Sequence, residues 1–300
     1  MVVFDMSKVA AVVVTYNRKE LLVECIEALL NQEYSDCDVI VVDNASTDGT
    51  SELVKETFGN SVIYVNTGSN LGGAGGFNYG MKTAYKLGYE YFWLMDDDCI
   101  VDTDSLSVLM KTAEDLNGNF GFLSSRVLWK DGNLCRMNIQ KISYKKKIDD
   151  TIVSLNKIIM ATFVSFLVKR DIVDEVGLPI TDFFIWADDL EYSRRISKTH
   201  DCYFVFDSKV THKSKSNIGS DIAVDETDNL GRYRYAYRNE YYLFRNEGVK
   251  GRFYYFVKRM YHRAKIIKNG KNVSEKLKVI SSAVKEGKSF YPQVEFAENK

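Results

Sequence analysis

VAAVVVTYNRKELLVECIEALLNQEYSDCDVIVVD, residues 9–43, reads as strand, helix, strand. Val9 to Val14 is a continuous apolar run, the composition of a strand covered on both faces. From Asn17 onward Leu21, Leu22, Ile26, Leu29 and Leu30 recur on one side of a helix. Asp38 to Val42 is a second buried strand. Further out, Thr50 to Phe58 has helical character and Val62 to Val65 is a third strand. Gly73 to Leu87 is a glycine-rich loop running into a helix, and Tyr91 to Met95 is a fourth strand. Strands alternating with helices predict an α/β fold, a mostly parallel sheet with helices on both faces. The start of the chain, MVVFDMSKVAAVVV, lacks a basic leading region and a small-residue cleavage site, so it reads as the first strand and not as a signal peptide.

Past residue 100 the pattern loosens. Asp104 to Leu116 and Asp189 to Lys198 are expected to be helices, Met160 to Val168 a long strand, and Tyr203 to Phe206 a short one. Residues 141–157 are basic and polar, an excursion over the surface, and residues 117–157 carry no legible motif. From Asn229 tyrosine, phenylalanine and arginine alternate, which predicts a main domain of residues 1–228 and a helical C-terminal module of residues 229–300 packed upon it. RNE occurs at Arg238 and again at Arg245, a spacing that places both on one helical face.

Composition narrows the class. A net charge of -1 over 300 residues gives no global attraction to nucleic acid. Five cysteines, odd in number and without a CxxC pair, fit a reducing cytosol better than a disulfide framework. No run of about 18 apolar residues is present to span a membrane.

In an open parallel sheet, ligands bind beyond the carboxyl ends of the strands. Thr15-Tyr16-Asn17-Arg18 follows the first strand and Asp43-Asn44 the second. Asp43 can accept from a base N–H or a ribose hydroxyl, whereas Ser46, Thr47 and Asp48 suit a helix cap. After the third strand, Gly72, Gly73, Gly75 and Gly76 either let phosphate or sugar oxygens approach the backbone or pack helix on strand. Asp96-Asp97-Asp98 ends the fourth strand. Adjacent carboxylates there repel one another unless a cation joins them, and hard oxygen ligands suit Mn2+ or Mg2+. Alternation points Asp96 and Asp98 together and Asp97 away. In Trp186-Ala187-Asp188-Asp189, a carboxylate can be a general base or the first turn of a helix. Trp186 can stack on a sugar or fill the core, and His212 can complete a metal site or be structural.

As an ordered set these segments resemble the family 2 glycosyltransferases of the GT-A fold. The stretches that carry it are VVVTYNRKELL, VIVVDNASTDGT, NLGGAGGFNYG, DDD, WADDLEYSRR and the His212 region, spread over residues 8–215. Within the family, GGAGGFN with DDD looks most like the galactofuranosyltransferases, and rhamnosyltransferases share much of the pattern. The resemblance implies that Thr15, Asn17 and Asp43 hold the uracil or thymine and its ribose. It sets Asp96 and Asp98 on the metal and the donor diphosphate and makes His212 a third protein ligand to the metal; Gly73 and Asp97, at the same strand ends, are expected on the donor side with Asp96. It makes Asp189 the catalytic base of an inverting enzyme; Trp186 and Asp188, in the same segment, are expected on the acceptor side.

The expected reaction is sugar transfer from a nucleotide-diphosphate donor, first UDP-galactofuranose and second dTDP-rhamnose, to a glycan or polyprenyl-diphosphate-linked acceptor in polysaccharide biosynthesis. Arginines and lysines among the aromatics of residues 232–268 suit the surface of a membrane, which predicts peripheral contact at the cytoplasmic face of the cell membrane. Dimerisation is a second use of the same helices. Two other classes are weighed. A nucleotidyltransferase wants a basic glycine-rich loop after the first strand, where this chain has TYNRKE. A non-catalytic nucleotide-sugar or glycan binder would have no need of Asp96, Asp98, Asp189 and His212 together.

Overall fold

A computed structural model of the chain describes residues 8–298; residues 1–7 of the expected first-strand run lie outside the described residues. The chain opens with β1 (Val9–Thr15), α1 (Lys19–Leu30), β2 (Cys37–Asp43), α2 (Thr50–Phe58), β3 (Ile63–Asn66), α3 (Gly72–Leu87) and β4 (Tyr91–Asp96). There follow β5 (Cys99–Val101), α4 (Ser105–Asp115), β6 (Phe122–Trp129), β7 (Asn156–Ile158), β8 (Phe166–Lys169), α5 (Arg170–Val176), α6 (Asp188–Ile196) and β9 (Cys202–His212). Three helices finish it, α7 (Tyr233–Arg245), α8 (Gly248–Asn269) and α9 (Val273–Ser289).

The strands form one sheet in the order β3-β2-β1-β4-β8-β6-β9-β5, with β7 paired to β9. β3, β2, β1 and β4 are mutually parallel, as the alternation of strand and helix predicts. β8 enters antiparallel to both β4 and β6, β9 runs parallel to β6, and β5 and β7 run antiparallel to β9.

Side-chain alternation divides each central strand between two cores. Val9, Ala11 and Val13 of β1, Val39 and Val41 of β2 and Trp93 of β4 meet Leu22, Ile26 and Leu29 of α1 and Leu106 and Leu109 of α4. Ala10, Val12 and Val14, with Ile40, Val42, Phe92 and Leu94, meet Phe77 and Met81 of α3 and Tyr192 of α6 on the other face. Both faces are covered, so these strands are uniformly apolar in sequence. Fully burying one such valine or leucine contributes about 1.5–3 kcal/mol.

Beyond β4 the structure corrects several boundaries. The expected strand from Met160 to Val168 is confined to Phe166–Lys169. Ser165 adopts a left-handed φ of 55° and its hydroxyl accepts from Trp93 Nε1 at 2.9 Å, which ends the extended run. β9 reaches from Cys202 to His212, well past Phe206. Its register against β6 jumps between Ser125 and Arg126, and this bulge interrupts the period that the sequence would otherwise display. β6 lies wholly within the stretch that carried no legible motif.

α7, α8 and α9 share a core of Tyr237, Leu243, Phe244, Tyr255, Ile266 and Ile280. Arg238 pairs with Glu286 at 3.3 Å, and Arg245 donates to the Phe290 carbonyl at 2.8 Å. The two RNE arginines therefore do share a helical face, which meets the C-terminal end of α9. Among the described residues no helix is long and apolar enough to cross a membrane.

Candidate active site

A cavity of about 840 Å³ opens beyond the carboxyl ends of β1 and β4. Thr15, Gly73, Asp96, Asp97, Asp98, Trp186, Asp188, Asp189 and His212 all line it. Asn17 and Asp43 are not among its lining residues.

Asp96, Asp98 and His212 form its acidic end, one atom from each lying within 4.8 Å of the others. β4 delivers the aspartates, and β9 brings His212 alongside through the pairing of Cys99 with His212. His212 Nε2 is 2.9 Å from Asp98 Oδ1. That carboxylate oxygen is nevertheless buried without an aligned hydrogen-bond donor. On its other side, His212 Nδ1 donates to Asn138 Oδ1 at 2.8 Å, which turns Nε2 toward the carboxylates. Burial, and then the charge of Asp98, push the Asp96 carboxyl well above its ordinary range. Burial also acts upward on Asp98, but the close approach and charge of His212, with Arg18, hold it below that range. An acidic pair, Asp98 buried with an orphaned oxygen and Asp96 half-buried, beside a histidine oriented by a second partner, fits a hard divalent cation.

Asp97 points the other way, as alternation requires. It accepts from Thr15 Oγ1 at 2.8 Å and from Arg18 at 3.2 Å, while Arg18 also reaches Asp98 at 3.0 Å. Burial, partly offset by Arg18, pushes Asp97 up to about 6. Asp43 is fully buried; it accepts from the Ser46 N–H at 2.8 Å and from the Tyr64 hydroxyl at 2.5 Å. Asn17 accepts from the Thr47 N–H at 2.7 Å, so both residues order the loop after β2. The N-cap position of α2 is Gly49, not one of the three polar residues before it; Asp48 accepts from the Thr50 N–H at 3.2 Å and Ser46 from the Asn17 N–H.

The glycines divide between the two roles the sequence allowed. A Cβ on Gly76 would lie 2.5 Å from a Val14 methyl, and one on Gly80 2.4 Å from a Val12 methyl, so these glycines seat α3 on the sheet. Gly72 has φ of 70°, and a Cβ there would lie 2.1 Å from the Phe184 carbonyl oxygen. Only Gly73 of the four in the run faces open space, and it lines the cavity.

Across from the acidic end, Asp188 and Asp189 begin α6. The loop leading to them holds three non-glycine residues at positive φ: Phe184 at 61°, Trp186 at 68° and Ala187 at 64°. Each costs about 1–3 kcal/mol and persists only if its surroundings over-determine it. They do. Asn239, fully buried on α7, directs its amide at the carbonyls of Phe183 (2.9 Å), Ile185 (3.1 Å) and Trp186 (2.9 Å). Arg238 donates to the Asp182 carbonyl at 2.5 Å, and the Ala74 N–H to that of Phe184 at 3.1 Å. Burial raises Asp189 above the ordinary carboxyl range, although the Leu190 N–H at 2.6 Å and the charge of Lys141 oppose it. Asp188 is raised further, by burial and then by the neighbouring Asp189. Trp186, half-buried, lines the cavity and packs on Tyr233 with ring centroids 5.3 Å apart.

Sequence reasoning passed over Arg18, Asn138, Lys141 and Asn239. Arg18 stood in view beside the first strand, and Asn239 sat within the first RNE. Asn138 and Lys141 lie in the stretch without a motif, where nothing local marks them.

Comparison with known proteins agrees with this geometry. A model of the family "Glycosyl transferase family 2" matches residues 10–177. Galactofuranosyltransferase GlfT1 of Mycolicibacterium smegmatis is 30% identical over 81% of this chain and 84% of its own. A GalNAc(5)-diNAcBac-PP-undecaprenol beta-1,3-glucosyltransferase of Campylobacter jejuni is 29% identical over 53% of this chain and 49% of its own. Among solved structures, GalNAc-T7 with UDP, GalNAc and Mn2+ superposes with a TM-score of 0.64 at 13% identity, covering 95% of this chain and 56% of that one. The mannosyltransferase PcManGT of Pyrobaculum calidifontis, in complex with GDP-Man and Mn2+, gives 0.56 at 17% identity, covering 95% and 76%. A cavity at the strand ends, with carboxylates at two of its walls, thus sits on the GT-A fold, and the chain belongs to glycosyl transferase family 2 as a glycosyltransferase.

Proposed function

We propose that this chain is a metal-dependent inverting galactofuranosyltransferase, moving galactofuranose from UDP-galactofuranose to a lipid-linked or cell-surface polysaccharide acceptor. The observation that carries the reading is the placing of the Asp96–Asp98–His212 group and Asp189 on one cavity. The galactofuranosyl donor rests on the likeness to GlfT1.

Asp96, Asp98 and His212 would hold Mn2+ or Mg2+, which supplies Lewis-acid neutralisation of the leaving diphosphate. Thr15, Asp97 and Gly73 line the donor side, with Arg18 tying Asp97 to Asp98, and Asn17 and Asp43 act on the nucleoside side indirectly, by ordering the loop after β2. Asp189 takes the proton of the acceptor hydroxyl. The hydroxyl oxygen bonds to the anomeric carbon as the bond from that carbon to the diphosphate breaks, so configuration inverts. The nucleotide diphosphate leaves, and the proton rests on Asp189. Trp186 and Asp188 border the acceptor. The raised affinity of Asp189 for protons suits a base that must take one near neutral pH.

Peripheral membrane contact is part of the same proposal. Val249, Phe253, Val257, Tyr261 and Ile267 are exposed along α8, among Lys250, Arg252, Arg263 and Lys268. An apolar stripe flanked by cations suits an anionic bilayer. Vesicles of phosphatidylglycerol should carry the protein upward in a flotation gradient, and a protein that stays at the bottom removes the membrane claim.

A donor screen tests the activity. The protein with Mn2+ is given UDP-, dTDP- and GDP-sugars, and released nucleotide diphosphate is measured with and without EDTA. UDP-galactofuranose should turn over and EDTA should stop it. Turnover of dTDP-rhamnose instead keeps the mechanism and replaces the donor. Nucleotide binding without turnover of any donor, even with lipid-linked acceptors supplied, points to a binding protein.

A further inference from the structure

The cavity has a second charged end that the proposed chemistry leaves unused. Residues 140–148 fold back on themselves as a small hairpin in which Lys141 stands opposite Lys147 in an antiparallel bridge. Directly opposed residues share a face, and like charges so placed are unfavourable on their own. Both line the cavity. From the other wall α8 contributes Lys258 and His262, one helical turn apart. The carboxylates near this end are Glu240, paired with Lys258 at 2.5 Å, and Asp189. The His262 ring meets the Tyr237 hydroxyl at 2.7 Å and feels the charges of Glu240 and Asp221 as well as that of Lys258. The Lys141 backbone pairs with Ile159 and Met160, while its amine makes no hydrogen bond or ion pair among the described residues. Burial and then Lys258 press its amine down to about 8, and the same two causes lower His262.

We infer that Lys141, Lys147 and Lys258 form an anion subsite for a phosphate or diphosphate group of the acceptor. The inference rests on the glycosyltransferase reading of the site and names what its acceptor must carry. Lys147 and Lys258 both repel the half-buried Lys141 amine, and an anion relieves that repulsion for the reason that a cation relieves the aspartates opposite. Their position beside Asp189 sets the anion next to the acceptor hydroxyl and away from the donor diphosphate. α8 supplies the rest of the argument. Its inward face carries Lys258 and His262 into the cavity, while Phe253, Val257 and Tyr261 are exposed on the same helix. A lipid-linked sugar phosphate has the matching order of parts: tail on the exposed residues, phosphate at the lysines, sugar at Asp189.

The test uses the full chain in EDTA, so that no cation can recruit phosphate to the acidic end. Geranyl diphosphate and inorganic pyrophosphate are titrated calorimetrically into the wild type, Lys141→Gln and Lys258→Gln. Geranyl diphosphate should bind the wild type and lose about tenfold in affinity in each variant, as removal of a charged hydrogen-bond partner predicts. UDP binding in Mn2+ should stay within about twofold, which reports an intact fold and donor side. Unchanged geranyl diphosphate affinity in both variants overturns the inference, as does no binding to the wild type. If the variants lose phosphatidylglycerol vesicles but keep geranyl diphosphate, the lysines serve a membrane headgroup and the acceptor assignment is wrong. Loss of UDP binding in the wild type itself would instead count against the donor reading, and the geranyl diphosphate result would stand apart from it.

Discussion

The two ends of the cavity solve opposite electrostatic problems with different parts of the chain. The acidic end is made of residues at the tips of β1, β4 and β9, held by the sheet's own register. The basic end is made of a hairpin and a helix, Lys141 and Lys147 against Lys258, with no strand between them. Position on a rigid sheet suits chemistry that tolerates little displacement. A hairpin and a surface helix suit recognition of a group that varies between acceptors. Asp188 and Asp189 stand between the two, at the start of α6, where Asp188 feels the charge of Asp96 and Asp189 that of Lys141.

The largest effect is expected where the ends meet. Asp189→Asn should lower kcat by about 10²–10⁴, the usual contribution of a positioned general base, with nucleotide affinity retained. Near-normal turnover would transfer the role elsewhere, Asp188 being the neighbouring carboxylate. In the wild type the base must be ionised to accept a proton. Since burial raises its pKa, kcat should fall toward acid at a pH above the ordinary aspartate range of about 4. An acid limb at ordinary aspartate pH would remove Asp189 as its source.

A smaller effect tests the acidic end alone. Asn138 touches no substrate in the proposed mechanism; it holds His212 Nδ1 and so aims Nε2. Asn138→Ala should weaken Mn2+ by about 10–100-fold, with kcat largely restored at saturating metal, because second partners of a metal histidine act through orientation. Loss of kcat that no metal concentration restores would mean that Asn138 contributes in another way.

This division also explains what could be read in the sequence. Thr15, Asp43 and Asp96 to Asp98 were visible because each ends a continuous apolar strand, and parallel strands announce themselves by composition. The glycine run was visible but ambiguous: Gly76 and Gly80 pack against Val14 and Val12, and only the fold separates them from Gly73. His212 was visible as a residue and not as a place, since the bulge in β9 hides the strand that delivers it. Lys141 was invisible. A polar hairpin has no period, and its meeting with α8 joins residues more than a hundred positions apart. Asn239 was half visible, as part of a repeated triplet whose use appears only once α7 is set against the loop of Phe184 to Ala187.

That loop gives the third test. Asn239→Ala removes the donor shared by three carbonyls, that of Phe183 buried and those of Ile185 and Trp186 partly buried, while φ stays positive at Phe184, Trp186 and Ala187. Stability should fall by about 1–3 kcal/mol, read from urea unfolding. At temperatures where the variant is folded, kcat should drop while Mn2+ affinity holds, since the loop carries Asp189 and not the metal ligands. Equal losses of kcat and metal affinity would show that the two walls are not independent.

The smallest expected effect is the sharpest on the comparison itself. Glu240 lies at the basic end and pairs with Lys258 at 2.5 Å, partly exposed to the cavity. If the lysines exist to take an anion, Glu240 competes with it for Lys258. Glu240→Gln keeps the shape and most of the hydrogen bonding but removes the competing charge. Geranyl diphosphate should then bind more tightly, by about two- to fivefold, the size of a partly exposed charge pair. A structural role for the Lys258–Glu240 pair predicts the opposite sign, since loss of the partner would free Lys258 to leave the cavity. The direction of the change, more than its size, therefore decides whether the basic end is a binding site or a brace between α7 and α8.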